Sequence, residues 1–232
     1  METTVTLWFW VGLVGMTAGT LLGAAQFVVD PDTRDLTAVL IGTTGIAAVA
    51  YLVMALGFGD VTVAGTELEI VRYADWLLTT PLMLLYLGLL ARADRRILAA
   101  LIGVDVIVIL AGIGATITGG AVGYTLFGVG TLAYLVLAVL LVRSLPRRAS
   151  FDNVRIEGSF TTLRNLTVVV WSLYPVVWVL STTGVGLLLP NTEALVVTYL
   201  DIVSKVGFVA IAVRAIAVVA DSGAETELQA AD

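Results

Sequence analysis

Seven predominantly apolar runs fill this chain, at 4–26, 34–57, 70–91, 97–117, 122–143, 157–182 and 192–220. A helix needs about 20 such residues to cross the hydrocarbon of a bilayer, where each backbone N–H and C=O must be satisfied within the segment. The pattern predicts an all-α membrane protein, one seven-transmembrane-helix bundle over residues 1–220. The mean hydropathy of +1.02 lies far outside the range of soluble domains. Short connections leave no room for a soluble catalytic or signalling domain, and no enzymatic activity is expected. The first run has no basic leader and no cleavage pattern, so it reads as the first helix rather than a signal peptide. Residues 221–232, with Asp221, Glu225, Glu227 and Asp232, read as an acidic, disordered tail.

Basic residues orient the bundle. Arg34, Arg92, Arg95, Arg96, Arg143, Arg147, Arg148, Arg155, Arg164 and Arg214 all fall at one set of loops or helix ends, and the opposite loops have no lysine or arginine. The positive-inside rule then places the N-terminus outside and the C-terminus in the cytoplasm of a multi-pass cell-membrane protein. Such scattered membrane flanks do not suit nucleic acid. The chain contains neither cysteine nor histidine, which excludes thiol chemistry, disulfides, and thiolate and histidine metal sites. Between the second and third runs, residues 57–69 read as a β-hairpin-like outer loop.

Two cations are left inside the runs. Lys205, the only lysine, lies near the middle of the last run, with Asp201 four residues before it on the same helix face. An ammonium at mid-bilayer costs roughly 2.5–3.5 kcal/mol on insertion scales and marks a functional site by default. Two readings of this pair stand on the residues alone: a structural ion pair between helices, or a Schiff-base lysine with its counter-anion. In the third run Arg72, Asp75, Trp76 and Thr79 recur at spacings of three and four, which places them on one face. A closed Arg72–Asp75 pair would satisfy itself but leave Lys205 and Asp201 unexplained. In the sixth run Trp171, Tyr174, Pro175 and Trp178 share a face at mid-span, too deep for an interfacial belt. Three such rings make a flat-walled slot for an extended apolar ligand. A transporter binding an ion at Lys205 and Asp201 is the reading from another class. A conjugated aldehyde on Lys205 would account for all of these features together.

The runs Arg72-Tyr-Ala-Asp75-Trp-Leu-Leu-Thr79-Thr-Pro81 and Leu200-Asp-Ile-Val-Ser-Lys205-Val206 resemble those of the microbial (archaeal-type) rhodopsins, seven-helix retinal proteins, and the likeness covers essentially the whole chain. The resemblance implies all-trans retinal held on Lys205 as a protonated Schiff base. It makes Asp75 the primary counterion and proton acceptor, with Thr79 in the same group and Asp201 the second counterion. Arg72 is expected to order charges and waters on the outer side. Trp76, Trp171, Tyr174 and Trp178 match the slot walls, completed by Tyr51, Thr80, Val108, Gly112, Phe127, Gly130, Tyr134 and Ser204. Asp105 matches a position that hydrogen-bonds Thr80.

Within that family the position eleven residues beyond Asp75 separates pumps from sensors. It lies roughly 16 Å further along the helix, and proton pumps keep a carboxylic acid there. This chain has Tyr86, and a phenol with a reference pKa of about 10 is a poor donor. The pattern, including the run Gly45-Ile-Ala-Ala-Val-Ala-Tyr51, is most like sensory rhodopsin II. That likeness implies a phototaxis photoreceptor acting through a two-helix, methyl-accepting membrane transducer, with Tyr199 as a transducer contact. Ser204 is expected to hydrogen-bond Tyr174 and so link the sixth and seventh helices. Ser204 in place of threonine, and Leu189 where some sensors have a polar residue, keep the related middle rhodopsins and a slowly reprotonated outward proton pump as alternatives.

Overall fold

A computed structural model describes residues 3–63, 66–151 and 153–216; the acidic tail at 221–232 lies outside them. Seven helices of membrane-spanning length and composition follow one another: α1 Thr4–Val29, α2 Pro31–Ala55, α3 Ile70–Leu90, α4 Arg95–Thr118, α5 Gly120–Arg147, α6 Val154–Leu180 and α7 Pro190–Ile216. Each packs on the next, and α7 closes the ring against α1. The hairpin is present: β1 (Asp60–Val63) runs antiparallel to β2 (Thr66–Glu69), with Asp60 opposite Glu69. It joins α2 to α3 and defines one end of the bundle. The other end gathers the arginines, where Arg148 pairs with Asp94 at 3.2 Å and Ser150 N donates to the Ala91 carbonyl. Asp94 caps α4 by accepting from the Arg96 and Ile97 amides, and these bonds hold its carboxyl below the usual range.

Apolar side chains such as Val14, Leu21, Leu110 and Leu132 are more than half exposed on the outside of the ring. In lipid that surface gains nothing from further burial, so the helices must be held by close packing and interior polar contacts instead. The first of these is visible along α1. A methyl group added at Gly15 would stand 3.1 Å from Ile202, and one at Gly19 would stand 2.9 Å from Thr44 and 3.3 Å from Val206. The glycines of the Gly15-x-x-x-Gly19-x-x-x-Gly23 stripe therefore pack α1 onto α2 and α7 inside the bundle.

Two helices depart from α geometry beside the interior polar residues. In α7 the stretch Ile202–Gly207 is π-helical, with Lys205 within it, a wider turn often found at functional sites. In α6 the helix breaks at Ser172, between Trp171 and Leu173, because Pro175 has no N–H for the Trp171 carbonyl. The α3 helix continues through Pro81. Pro81 leaves the Leu77 carbonyl without its helical donor, and the neighbouring Thr79 and Thr80 hydroxyls bond the Asp75 and Trp76 carbonyls at 2.8 Å each, since a threonine in a helix reaches back four residues.

Gly12 faces the Tyr51 ring so closely that a side chain there would overlap it. Replacing Gly12 with Val should therefore displace Tyr51 and destabilise the bundle by about 1–3 kcal/mol, measured by denaturant titration in mixed micelles; unchanged stability would mean that the contact is slack.

Candidate lysine and carboxylate site

Four helices meet around Lys205. Its Nζ donates to Asp75 Oδ2 across the gap between α7 and α3, and both residues are buried. The lysine thus takes as direct partner the carboxylate on the facing helix rather than Asp201 on its own. Asp201 is fully buried and accepts three side-chain bonds: from Tyr51 OH at 2.7 Å (α2), Trp76 Nε1 at 3.2 Å (α3) and Tyr174 OH at 2.6 Å (α6). Charge-assisted bonds of this kind are stronger than neutral ones, so one carboxylate ties four helices together. Asp75 differs: its Oδ1 is buried with no hydrogen-bond partner.

The α6–α7 link falls on Tyr174 and Asp201. Ser204 donates within its own helix, to the Asp201 carbonyl at 3.1 Å, and its hydroxyl also lies within hydrogen-bonding reach of the Tyr174 phenol. At the break in α6, Tyr134 donates to the Val168 carbonyl at 2.7 Å and shares a 2.8 Å bond with Ser172, which fastens α5 to the weakest point of α6.

A cavity of about 640 Å³ runs from Lys205 between these helices, within the usual size range of small-molecule sites. Trp76, Thr80, Val108, Gly112, Phe127, Gly130, Tyr134, Trp171, Tyr174, Trp178 and Ser204 line it, as do Asp201 and Arg72. Tyr51 does not. It stands behind Asp201 as a donor, because its ring is packed into the space left by Gly12 on α1. Asp75 and Thr79 likewise lie behind the lysine rather than on the wall. Trp178 and Phe127 stack at 4.3 Å, and Trp76 meets Tyr174 edge-on at 5.2 Å. Asp105 also lines the cavity and bonds Thr80 at 2.6 Å.

Sequence reasoning missed three residues. Thr116 receives Trp178 Nε1 at 3.2 Å and bonds Tyr73 OH at 2.9 Å, and the spacing of four from Val108 through Gly112 to Thr116 could have revealed it. Glu69 pairs with Arg72 at 2.5 Å; it was hidden by belonging to the loop. Glu193, at the head of α7, lines the same cavity toward the hairpin end. Arg72 accordingly turns to Glu69, and no Arg72–Asp75 pair closes.

Beyond Lys205 toward the arginine-rich end the interior changes character. Tyr86 is fully buried, edge-on to Phe208 at 5.4 Å, among Leu40, Leu84, Leu87 and Leu163. Its hydroxyl has no partner. The cluster of buried residues that holds Tyr86 contains no carboxylate; the buried Asp105 belongs to the cavity wall, bonded to Thr80.

A seven-helix membrane bundle closed around one carboxylate-paired lysine and an aromatic slot is the architecture of the microbial rhodopsins. The chain belongs to the family described as bacteriorhodopsin-like protein, which matches residues 3–219. Sensory rhodopsin-2 of Halobacterium salinarum is 49% identical over 209 residues, covering 90% of this chain and 88% of that one. Sensory rhodopsin-2 of Natronomonas pharaonis is 44% identical over 214 residues, covering 92% and 90%. The crystal structure of thermophilic rhodopsin from Rubrobacter xylanophilus superposes with a TM-score of 0.86 at 40% identity, covering 91% of this chain and 95% of that one. The residues present fit the retinal that this family carries. The one lysine opens onto a cavity lined by Trp76, Trp171 and Trp178, and its amine contacts a carboxylate, Asp75, that can balance a positive charge there.

Replacing Tyr174 with Phe removes a bond to a buried carboxylate that joins α6 to α7. The expected loss is about 1.5–3 kcal/mol, checked by unfolding of the apoprotein in mixed micelles; a loss under half that range would mean the Tyr174 bond is not what joins the two helices.

Proposed function

We propose that this chain is a phototaxis photoreceptor carrying retinal on Lys205, with the hairpin end outside the cell and the arginine-rich end in the cytoplasm. The observation that carries the sensory reading is Tyr86 in its apolar surroundings: the buried cluster around it holds a phenol and no acid to return a proton. The sensory rhodopsin-2 relatives support the same reading.

Retinal held on Lys205 would supply light absorption and a light-driven change of shape in the slot. The chain's own residues do the rest. Trp76, Trp171 and Trp178 confine the slot so that a change of shape is felt by the helices. Asp75 touches Lys205 Nζ and keeps one oxygen unfilled, so it is placed to take the proton from that nitrogen. Asp201 already accepts three donors and stays as the fixed anion. Proton transfer to Asp75 cancels the Lys205–Asp75 attraction between α7 and α3. The break at Ser172 then gives α6 a hinge, and rigid-body movement of α6 against α7 is a switch of the usual kind. Tyr199 is 65% exposed on the lipid face of α7, away from the cavity, a position that supports contact with a two-helix membrane transducer. Without an acid near Tyr86 the proton is slow to return, and the altered state persists long enough to signal.

Two outcomes test this. Asp75→Asn should shift the visible absorption to the red at neutral pH, because the counter-charge is gone; an unchanged spectrum would sink the counterion assignment. In flash photolysis Lys205 Nζ should regain its proton slowly, and azide, as a diffusible proton carrier, should speed the return at least tenfold. Tyr86→Asp should abolish most of that azide dependence. Fast recovery indifferent to azide in the unaltered protein would favour a pump.

A further inference from the structure

Arg72 bonds Glu69 and neither of the two interior carboxylates, Asp75 and Asp201. Its Nε donates to Glu69 Oε2 at 2.5 Å, and its guanidinium carbon lies 5.4 Å from the centre of the Phe9 ring. Glu69 is held by backbone: it ends β2 opposite Asp60, and the next residue, Ile70, donates its amide to the Gly59 carbonyl at 3.1 Å. The hairpin therefore fixes where the arginine is pulled. Meanwhile Arg72 Nη1 is buried without a partner, and so is Asp75 Oδ1. The two residues are three apart on one helix face. An unfilled donor and an unfilled acceptor at that spacing are what remain when an arginine is held off its second partner.

We propose that Glu69 is a positioning residue that tethers Arg72 toward the hairpin end and so sets how strongly the guanidinium acts on Asp75 and Asp201. This rests on the reading of Asp75 as the counterion. The charged or titratable groups facing Asp75 are Lys205 and Asp201 from α7, and Arg72 stands three residues before it on its own helix. Those facing Arg72 are Glu69, Asp201 and Glu193, and the Tyr51 phenol from α2; α1 offers the neutral Phe9 ring. Cutting the tether lets the cation approach Asp75. Asp75 then stays ionised to lower pH, because a nearby opposite charge favours the charged form.

The experiment titrates the visible absorption of the retinal-loaded protein for E69Q, E69D, R72Q, D75N and E69Q/R72Q. The midpoint of the red shift that marks protonation of Asp75 should fall by about one pH unit in E69Q, a tenfold change, and return most of the way in E69D. E69Q should add nothing to R72Q, since a residue acting through Arg72 has no route without it. An equal E69Q shift with and without Arg72 would mean that Glu69 acts by its own field, and no E69Q shift would remove it altogether; either result overturns the proposal. A second readout needs no retinal: in apoprotein with ¹⁵N-arginine, hydrogen exchange at Arg72 Nε should be at least tenfold faster in E69Q than in the unaltered protein, and equal rates would overturn the tether. D75N separates the two levels. If it abolishes the transition while E69Q does nothing, this inference alone falls; if the transition survives D75N, the counterion reading beneath it fails.

Discussion

The contact between Lys205 and Asp75 governs the interior. Two full charges withdrawn from water cost several kcal/mol each, and removing either partner strands the other at about 3–5 kcal/mol. Neither charge can be buried alone in this bundle, so α3 and α7 must meet with these side chains in register. Asp201 brings a second negative charge into the same space and is stabilised by donors from α2, α3 and α6. The helices that carry these partners are drawn to one centre, whereas α4 and α5 contribute mainly cavity wall. In a lipid solvent, where apolar burial gives the helices no net attraction, such interior contacts carry much of the specificity of the fold.

The interior is polar on one side of that pair and apolar on the other. Toward the hairpin lie Arg72, Glu69 and Glu193 along a continuous cavity. Toward the arginine-rich end lie Tyr86, Phe208 and a packed layer of leucines. The carboxylates Glu69 and Glu193 lie on the hairpin side, and the cluster around Tyr86 has none. On the proposed reading, this asymmetry of packing is what would make a light-altered state long-lived.

Helix geometry adds the means to respond. The π turn around Lys205 is backed by Gly15 and Gly19 of α1, whose missing side chains leave room for Ile202 and Val206. On the other wall, α6 is broken beside Trp171 and fastened to α5 by Tyr134. One side of the slot is braced and the other is hinged, so strain generated between them has a preferred outlet.

Hydropathy alone determined seven spans and their ends to within a few residues, because the bilayer sets a length that apolar runs must match. Helical spacing likewise put Arg72, Asp75, Trp76 and Thr79 on one face, and Trp171, Tyr174 and Trp178 on another. Partner choice was beyond that reach. Spacing along one helix suggested Lys205 with Asp201 and Arg72 with Asp75, but a side chain at mid-bilayer bonds across helices, where sequence separation carries no information. The family resemblance implied Asp75 as the partner of Lys205, but only the tertiary structure decided that Asp201 is held by three neighbouring helices and that Tyr51 serves as a donor behind the slot. Arg72 is the sharpest case. Its partner lies just three residues away, yet Glu69 becomes available only because the hairpin folds back to place it there.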